Sequence, residues 1–202
     1  MLRRNAIKNL AAIAGLTALG GTLTACGQTE RRFHAIDITG ASYGQQLALP
    51  DTQGQTRSLR DFVGKVVVLF FGYVQCPDVC PTSLAELSEA KRLLGANGSR
   101  VQAVFVTVDP QRDTPAVLKA YMEAFDPSFV ALRPTPEQLE QVTRDFRIFY
   151  RRVDGPTPTS YTVDHSAGSY IFDPKGRLRL YAQYRGGAQA LADDIGALLD
   201  GA

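Results

Sequence analysis

From Lys65 the chain runs Val66-Val67-Val68-Leu69-Phe70-Phe71-Gly72-Tyr73 without a polar interruption. A continuous β-branched and aromatic run of this length predicts a strand buried on both faces. Thr82 to Leu94 then places Leu84, Leu87, Ala90, Leu93 and Leu94 at helical spacing, which predicts an amphipathic helix. A second buried strand is predicted over Val101 to Val108. After it, Thr114 is a candidate cap for a helix that begins at Pro115 and reaches about Phe125. Thr135 likewise precedes an amphipathic helix from Pro136 to Phe146, whereas Gly155, Pro156 and Pro158 predict an irregular loop between Asp154 and Thr162. The runs Gly168 to Phe172 and Arg177 to Tyr184 read as two strands joined by the turn Asp173-Pro174-Lys175-Gly176, and a helix from Ala188 to Leu199 follows. Upstream, Leu47-Ala48-Leu49 and Thr56-Arg57-Ser58 flank Asp51-Thr52-Gln53-Gly54 as a short hairpin.

Two successive strand-then-helix units imply parallel strands covered by helices, and the late strand pair adds an antiparallel hairpin at the sheet edge. The pattern is that of an α/β thioredoxin-like fold, a central mixed sheet flanked by helices, with an added N-terminal β-hairpin. In open α/β sheets ligands lie at the carboxyl ends of the strands. Cys76 and Cys80 fall at such an end, between the first buried strand and its helix.

The first residues are basic (Arg3, Arg4, Lys8), and an apolar run of small residues extends from Leu10 to Leu23, broken by Gly15, Gly20 and Gly21. It is shorter than the roughly 18 to 20 apolar residues of a membrane-spanning helix and has the layout of an export signal. Leu23-Thr24-Ala25-Cys26 looks like a bacterial lipobox, in which Cys26 takes a diacylglyceryl group. The expected organisation is a lipoprotein signal peptide at 1–25, the lipidated cysteine and a flexible spacer at 26–36, and one domain at 37–202, held in the bacterial cell envelope and facing the periplasm. Arg3-Arg4 is also a partial match to a twin-arginine export motif. With 22 Lys and Arg against 20 Asp and Glu the net charge is +2, which gives no footing for nucleic-acid binding.

With Cys26 assigned to lipid, Cys76 and Cys80 form one pair, separated by Pro77-Asp78-Val79. A separation of four at the first turn of a helix brings both sulfurs to one face, with Cα atoms about 6 Å apart. That span suits a metal between two thiolates and also lies within disulfide reach, so the pair could be oxidised, reduced or metal-loaded. The amino end of a helix favours the thiolate that either chemistry needs. Two thiolates and an imidazole suit Cu(I), whereas Cu(II) prefers additional nitrogen or oxygen donors, and Asp78 is a candidate oxygen. Only two histidines are present. His34 falls in the spacer and reads as solvated; His165, in Val163-Asp164-His165-Ser166, is the candidate ligand, although on context alone a surface or core histidine is the commoner role. Asp109, Arg112 and Asp113 read as a loop held by an Asp–Arg pair and capping bonds.

Three blocks in order, Phe70-Phe71-Gly72-Tyr73 with Cys76-Pro77-Asp78-Val79-Cys80-Pro81, Val106-Thr107-Val108-Asp109-Pro110-Gln111-Arg112-Asp113-Thr114-Pro115, and Val163-Asp164-His165-Ser166, resemble the Sco/SenC family from about Leu47 onward. The resemblance implies that Cys76, Cys80 and His165 bind a copper ion, Cu(I) or Cu(II). The copper would go to the binuclear centre of cytochrome c oxidase subunit II, or to another copper-accepting protein, with other copper chaperones or thiol reductants as further partners. It equally implies an alternative, a thiol-disulfide oxidoreductase in which Cys76 and Cys80 are the redox pair and cycle through a disulfide. Copper binding needs His165; dithiol exchange does not. A peroxidase would leave His165 without a role, and a structural Cys76–Cys80 disulfide would close too short a loop to stabilise much.

Overall fold

The run from Val66 divides its side chains by parity. In the computed structural model, which describes residues 33–157 and 160–201, Val66–Gly72 is a strand with every residue buried. Val66, Val68 and Phe70 enter one core cluster, and Val67, Leu69 and Phe71 enter another on the opposite face. Period-two alternation thus places two apolar layers on one strand, and the chain is arranged around it.

In chain order the strands are β1 Ile36–Asp37, β2 Ala48–Pro50, β3 Thr56–Ser58, β4 Val66–Gly72, β5 Val101–Thr107, β6 Val130–Leu132, β7 Tyr150–Asp154, β8 Tyr161–His165, β9 Ser169–Phe172 and β10 Leu178–Ala182. The helices are α1 Val79–Leu93, α2 Pro115–Glu123, α3 Pro136–Asp145 and α4 Ala188–Leu199. Six strands form the main sheet in the order β1-β10-β9-β4-β5-β6, with β4, β5 and β6 parallel and the rest antiparallel. α1, α2 and α4 supply Leu84, Leu118 and Ile195 to one face, and α3 supplies Leu139 and Val142 to the other. The fold is thioredoxin-like, with the short β2–β3 hairpin added before it.

Local chemistry explains where the helices begin. The Thr114 hydroxyl accepts from the Val117 amide with Pro115 in the first turn, and Thr135 and Gln138 form a reciprocal capping box. Three features differ from the sequence-based expectation. The strand pair expected at the sheet edge is internal, because β9 pairs with β4 and β10 is covered by β1. The irregular loop expected between Asp154 and Thr162 joins the two strands of a separate hairpin, β7–β8, whose register pairs Tyr150 with His165 and Asp154 with Tyr161. Ordered packing also begins upstream of Ile36, with Phe33 and Ala35 against the α1–α4 face and the His34 and Ala35 amides both donating to the Asp194 carboxylate at 2.8 Å. The signal segment 1–25 and Cys26 lie outside the described residues. Among the described residues no helix is long and apolar enough to cross a membrane.

Candidate metal centre

β4 ends at Gly72, and the chain turns at Cys76, whose amide donates to the Tyr73 carbonyl at 3.2 Å. α1 starts three residues later, so Cys80 lies in its first turn and is fully buried, while Cys76 sits just before the helix and is half-buried. His165 arrives from the end of β8. One ligand atom from each of Cys76, Cys80 and His165 lies within 4.8 Å of the others. Nothing in the 85-residue gap between Cys80 and His165 announces this meeting; the sheet makes it, since β9 follows His165 directly and pairs beside β4.

The histidine is oriented by its other nitrogen. Nδ1 lies 2.9 Å from the Ser166 carbonyl oxygen, which can only accept, so Nδ1 carries a proton and the Ser166 carbonyl turns Nε2 toward the cysteines. Nε2 is 3.5 Å from Cys80 Sγ. The ring stands edge-on to Phe70 and Tyr73, at centroid distances of 6.1 and 5.8 Å, which limits its rotation.

The two thiols are free and electrostatically unequal. The Cys80 thiol donates to Cys76, and with help from His165 and the backbone N–H groups of Asp78 and Cys80 this lowers the Cys76 pKa to about 3 despite its burial. Cys80 is pushed up in turn, by the hydrogen bond it gives to Cys76, by burial and by the Cys76 charge. The metal-free site therefore pairs a thiolate with a thiol beside an imidazole, one sulfur charge in a pocket that would not accept two without a cation.

A family profile described as SCO1/SenC matches residues 37–200. The chain belongs to the SCO1/SenC family. Among curated relatives, it is 32% identical over 200 residues to protein SenC of Rhodobacter capsulatus, covering 96% of this chain and 90% of that protein. It is 37% identical over 135 residues to a SCO2-like protein of Rickettsia felis, spanning 66% of this chain and 66% of that protein. Among solved structures, Bradyrhizobium japonicum ScoI with copper bound is 36% identical with a TM-score of 0.71, covering 78% of this chain and 99% of that one. Apo Sco1 from Thermus thermophilus is 36% identical with a TM-score of 0.74, covering 84% and 99%.

Against this SCO1/SenC frame, the sequence-based candidates divide cleanly. Cys76, Cys80 and His165 converge. His34 does not: it lies 3.6 Å from Asp193 on α4 and is 59% exposed. Asp78 is exposed and paired loosely with Arg185 at 3.6 Å. Asp109, Arg112 and Asp113 hold their loop as expected, with Asp113 accepting from the Thr107 hydroxyl at 2.5 Å and the Val74 amide at 3.2 Å. Gly72 also belongs to the site. A Cβ there would sit 2.6 Å from Cys80 Sγ and 2.9 Å from carbons of Phe70 and Phe105, so the buried thiol occupies the space a side chain would fill. A glycine inside an otherwise bulky strand run was the signal for such a close approach.

Proposed function

We propose that this protein carries copper outside the cytoplasm and delivers it to the binuclear copper centre of cytochrome c oxidase subunit II. The convergence of two cysteine sulfurs and one imidazole nitrogen within 4.8 Å carries the reading, and the copper-bound Bradyrhizobium relative at 36% identity supports it. Copper is the cargo here. Two sulfurs and an imidazole suit Cu(I); Cu(II) would call for a further oxygen or nitrogen donor. Structural zinc asks for four protein ligands, one more than this cluster has among the described residues. Cys76 is already ionised and half-exposed, so it is the sulfur that meets an incoming ion, and Cys80 must release its proton before it can bind. Delivery follows by ligand exchange, with partner ligands replacing Cys76 first because it is the accessible one. Lipidation at Cys26 would hold the domain at the periplasmic face of a membrane.

The asymmetric thiol pair favours a second reading, thiol-disulfide exchange. The Cys76 thiolate would attack a partner disulfide, expelling one partner thiolate and forming a mixed disulfide. Cys80, once deprotonated, would displace the second partner thiol and leave a Cys76–Cys80 disulfide. Metal analysis after anaerobic loading with Cu(I) separates the two. One copper per chain, lost in Cys76→Ala, Cys80→Ala and His165→Ala, is the expected result. Absence of copper in the parent, with disulfide reduction surviving His165→Ala, would reverse the order of the readings.

A further inference from the structure

Among the described residues the β7–β8 hairpin that carries His165 pairs with no strand of the six-stranded sheet, so beyond its chain connection to β9 side-chain contacts hold it over the cysteines. Tyr161, Val163 and His165 share one face of β8 by strand parity. Val163 is buried in the core. Tyr161 is held by the loop after β5: the Arg112 guanidinium lies 3.5 Å from the centre of its ring, and Arg112 Nη1 donates to its carbonyl oxygen at 2.9 Å. The same Nη1 donates to Gln75 Oε1 at 2.9 Å, one residue before Cys76. Arg112 Nε donates to Asp109, whose other carboxylate oxygen accepts from the Tyr161 hydroxyl at 2.8 Å. The remaining nitrogen, Nη2, is buried without a hydrogen-bond partner among the described residues, so the group is sequestered rather than solvated.

We infer that Arg112 is a positioning residue for His165, joining the cysteine loop through Gln75 to the histidine hairpin through Tyr161 and so fixing the distance between two ligands and the third. The Asp109–Arg112 pair needs only its own loop to form; the bonds to Gln75 and Tyr161 reach beyond it, to both ligand-bearing segments. A strand transmits displacement along its length, and Tyr161 and His165 lie four residue steps of β8, about 13 Å, apart. Releasing Tyr161 therefore frees the imidazole to swing away from Cys80 while leaving Cys76 and Cys80 in their own loop. The inference deepens the copper reading and rests on it for one of its two tests.

The first test is a double-mutant cycle on Cu(I) affinity, measured by chelator competition with the parent, Arg112→Ala, His165→Ala and the double variant. Outer partners of metal ligands change affinity by about 10- to 100-fold. Arg112→Ala is expected to weaken binding by that order, and the double variant to bind no more weakly than His165→Ala. Parent-like affinity in Arg112→Ala, or losses that multiply in the double variant, overturns the inference. The second test uses no metal: the ring-proton shifts of His165 in the apo protein report its edge-on packing against Phe70 and Tyr73, and Arg112→Ala should average them toward those of a solvent-exposed ring. Unchanged shifts overturn the positioning role even if the parent binds no copper, a result that would by itself reject only the proposed function. Should Arg112→Ala fail to fold, Tyr161→Phe removes only the hydroxyl bond to Asp109 and goes through both tests. A smaller loss of the same sign is expected, and none overturns the inference.

Discussion

The reactivity of the site turns on the closeness of its two sulfurs. Because the Cys80 thiol is the leading cause of the lowered Cys76 pKa, Cys76 should alkylate with iodoacetamide as a thiolate across the neutral range, losing reactivity only as pH falls toward about 3. Cys80→Ala removes that donor, so the midpoint of the Cys76 pH–rate profile should move upward. His165→Ala should move it upward by less, its contribution ranking below that of Cys80. An unmoved midpoint in Cys80→Ala would assign the depression to the helix terminus instead. Gly72 poses a steric question at the same scale. Gly72→Ala puts a methyl 2.6 Å from Cys80 Sγ, and the neighbours able to yield are two aromatic rings in a packed core. Overpacking of this kind costs about 1–3 kcal/mol. Urea unfolding should show that loss, and copper affinity should fall as Cys80 is displaced; a variant with both values unchanged would mean that the rings yield freely.

At the scale of elements, the chain leading into the domain is fastened by α4. Asp194 is 3% exposed and takes the His34 and Ala35 amides with one carboxylate oxygen each, immediately before β1 pairs with β10. Asp194→Ala strands two donors, and at about 1–3 kcal/mol for each buried group left unsatisfied the segment should open locally. Amide exchange at Ile36 and Ile38 should accelerate while β4 and β5 stay protected; uniform acceleration would indicate global unfolding instead. Asp194→Asn keeps one acceptor and should fall between. This fastening was hidden in the sequence, because an aspartate inside an otherwise apolar helix such as Ala188–Leu199 reads as solvated. Elements with a strong period or a cap were legible: β4, β5 and the four helices follow from apolar spacing and from Thr114 and Thr135. β6 was not, having three residues, and the β7–β8 hairpin was not, because among Tyr150–Asp154 and Tyr161–His165 only Val163 is fully buried. A strand pair outside the sheet leaves little apolar alternation to read. The cysteines were legible as a pair from their spacing. His165 was a ligand only by resemblance, since its reach to Cys80 depends on the pairing of β9 with β4, which no local pattern encodes.

For the whole molecule, the three ligands belong to parts of the fold that are joined by different means. Cys76 and Cys80 are fixed to the central strand and its helix, whereas His165 rides on a hairpin that lies outside the six-stranded sheet. Copper held by all three would therefore cross-link the hairpin to the central layer. A ligand that binds only the folded state stabilises it by about 4 kcal/mol at a thousandfold excess over its dissociation constant, so the melting temperature should rise on loading with Cu(I). The distribution of that gain is the sharper observable. In the parent, amide protection should increase at residues 150–154 and 161–165 as well as around Cys76. In His165→Ala, any copper retained by the two cysteines should protect only the start of α1. The hairpin would then exchange as it does without metal. If the hairpin gains protection equally in both proteins, the histidine does not bring it into the metal site, and the closing of the site must be sought in the cysteine loop alone.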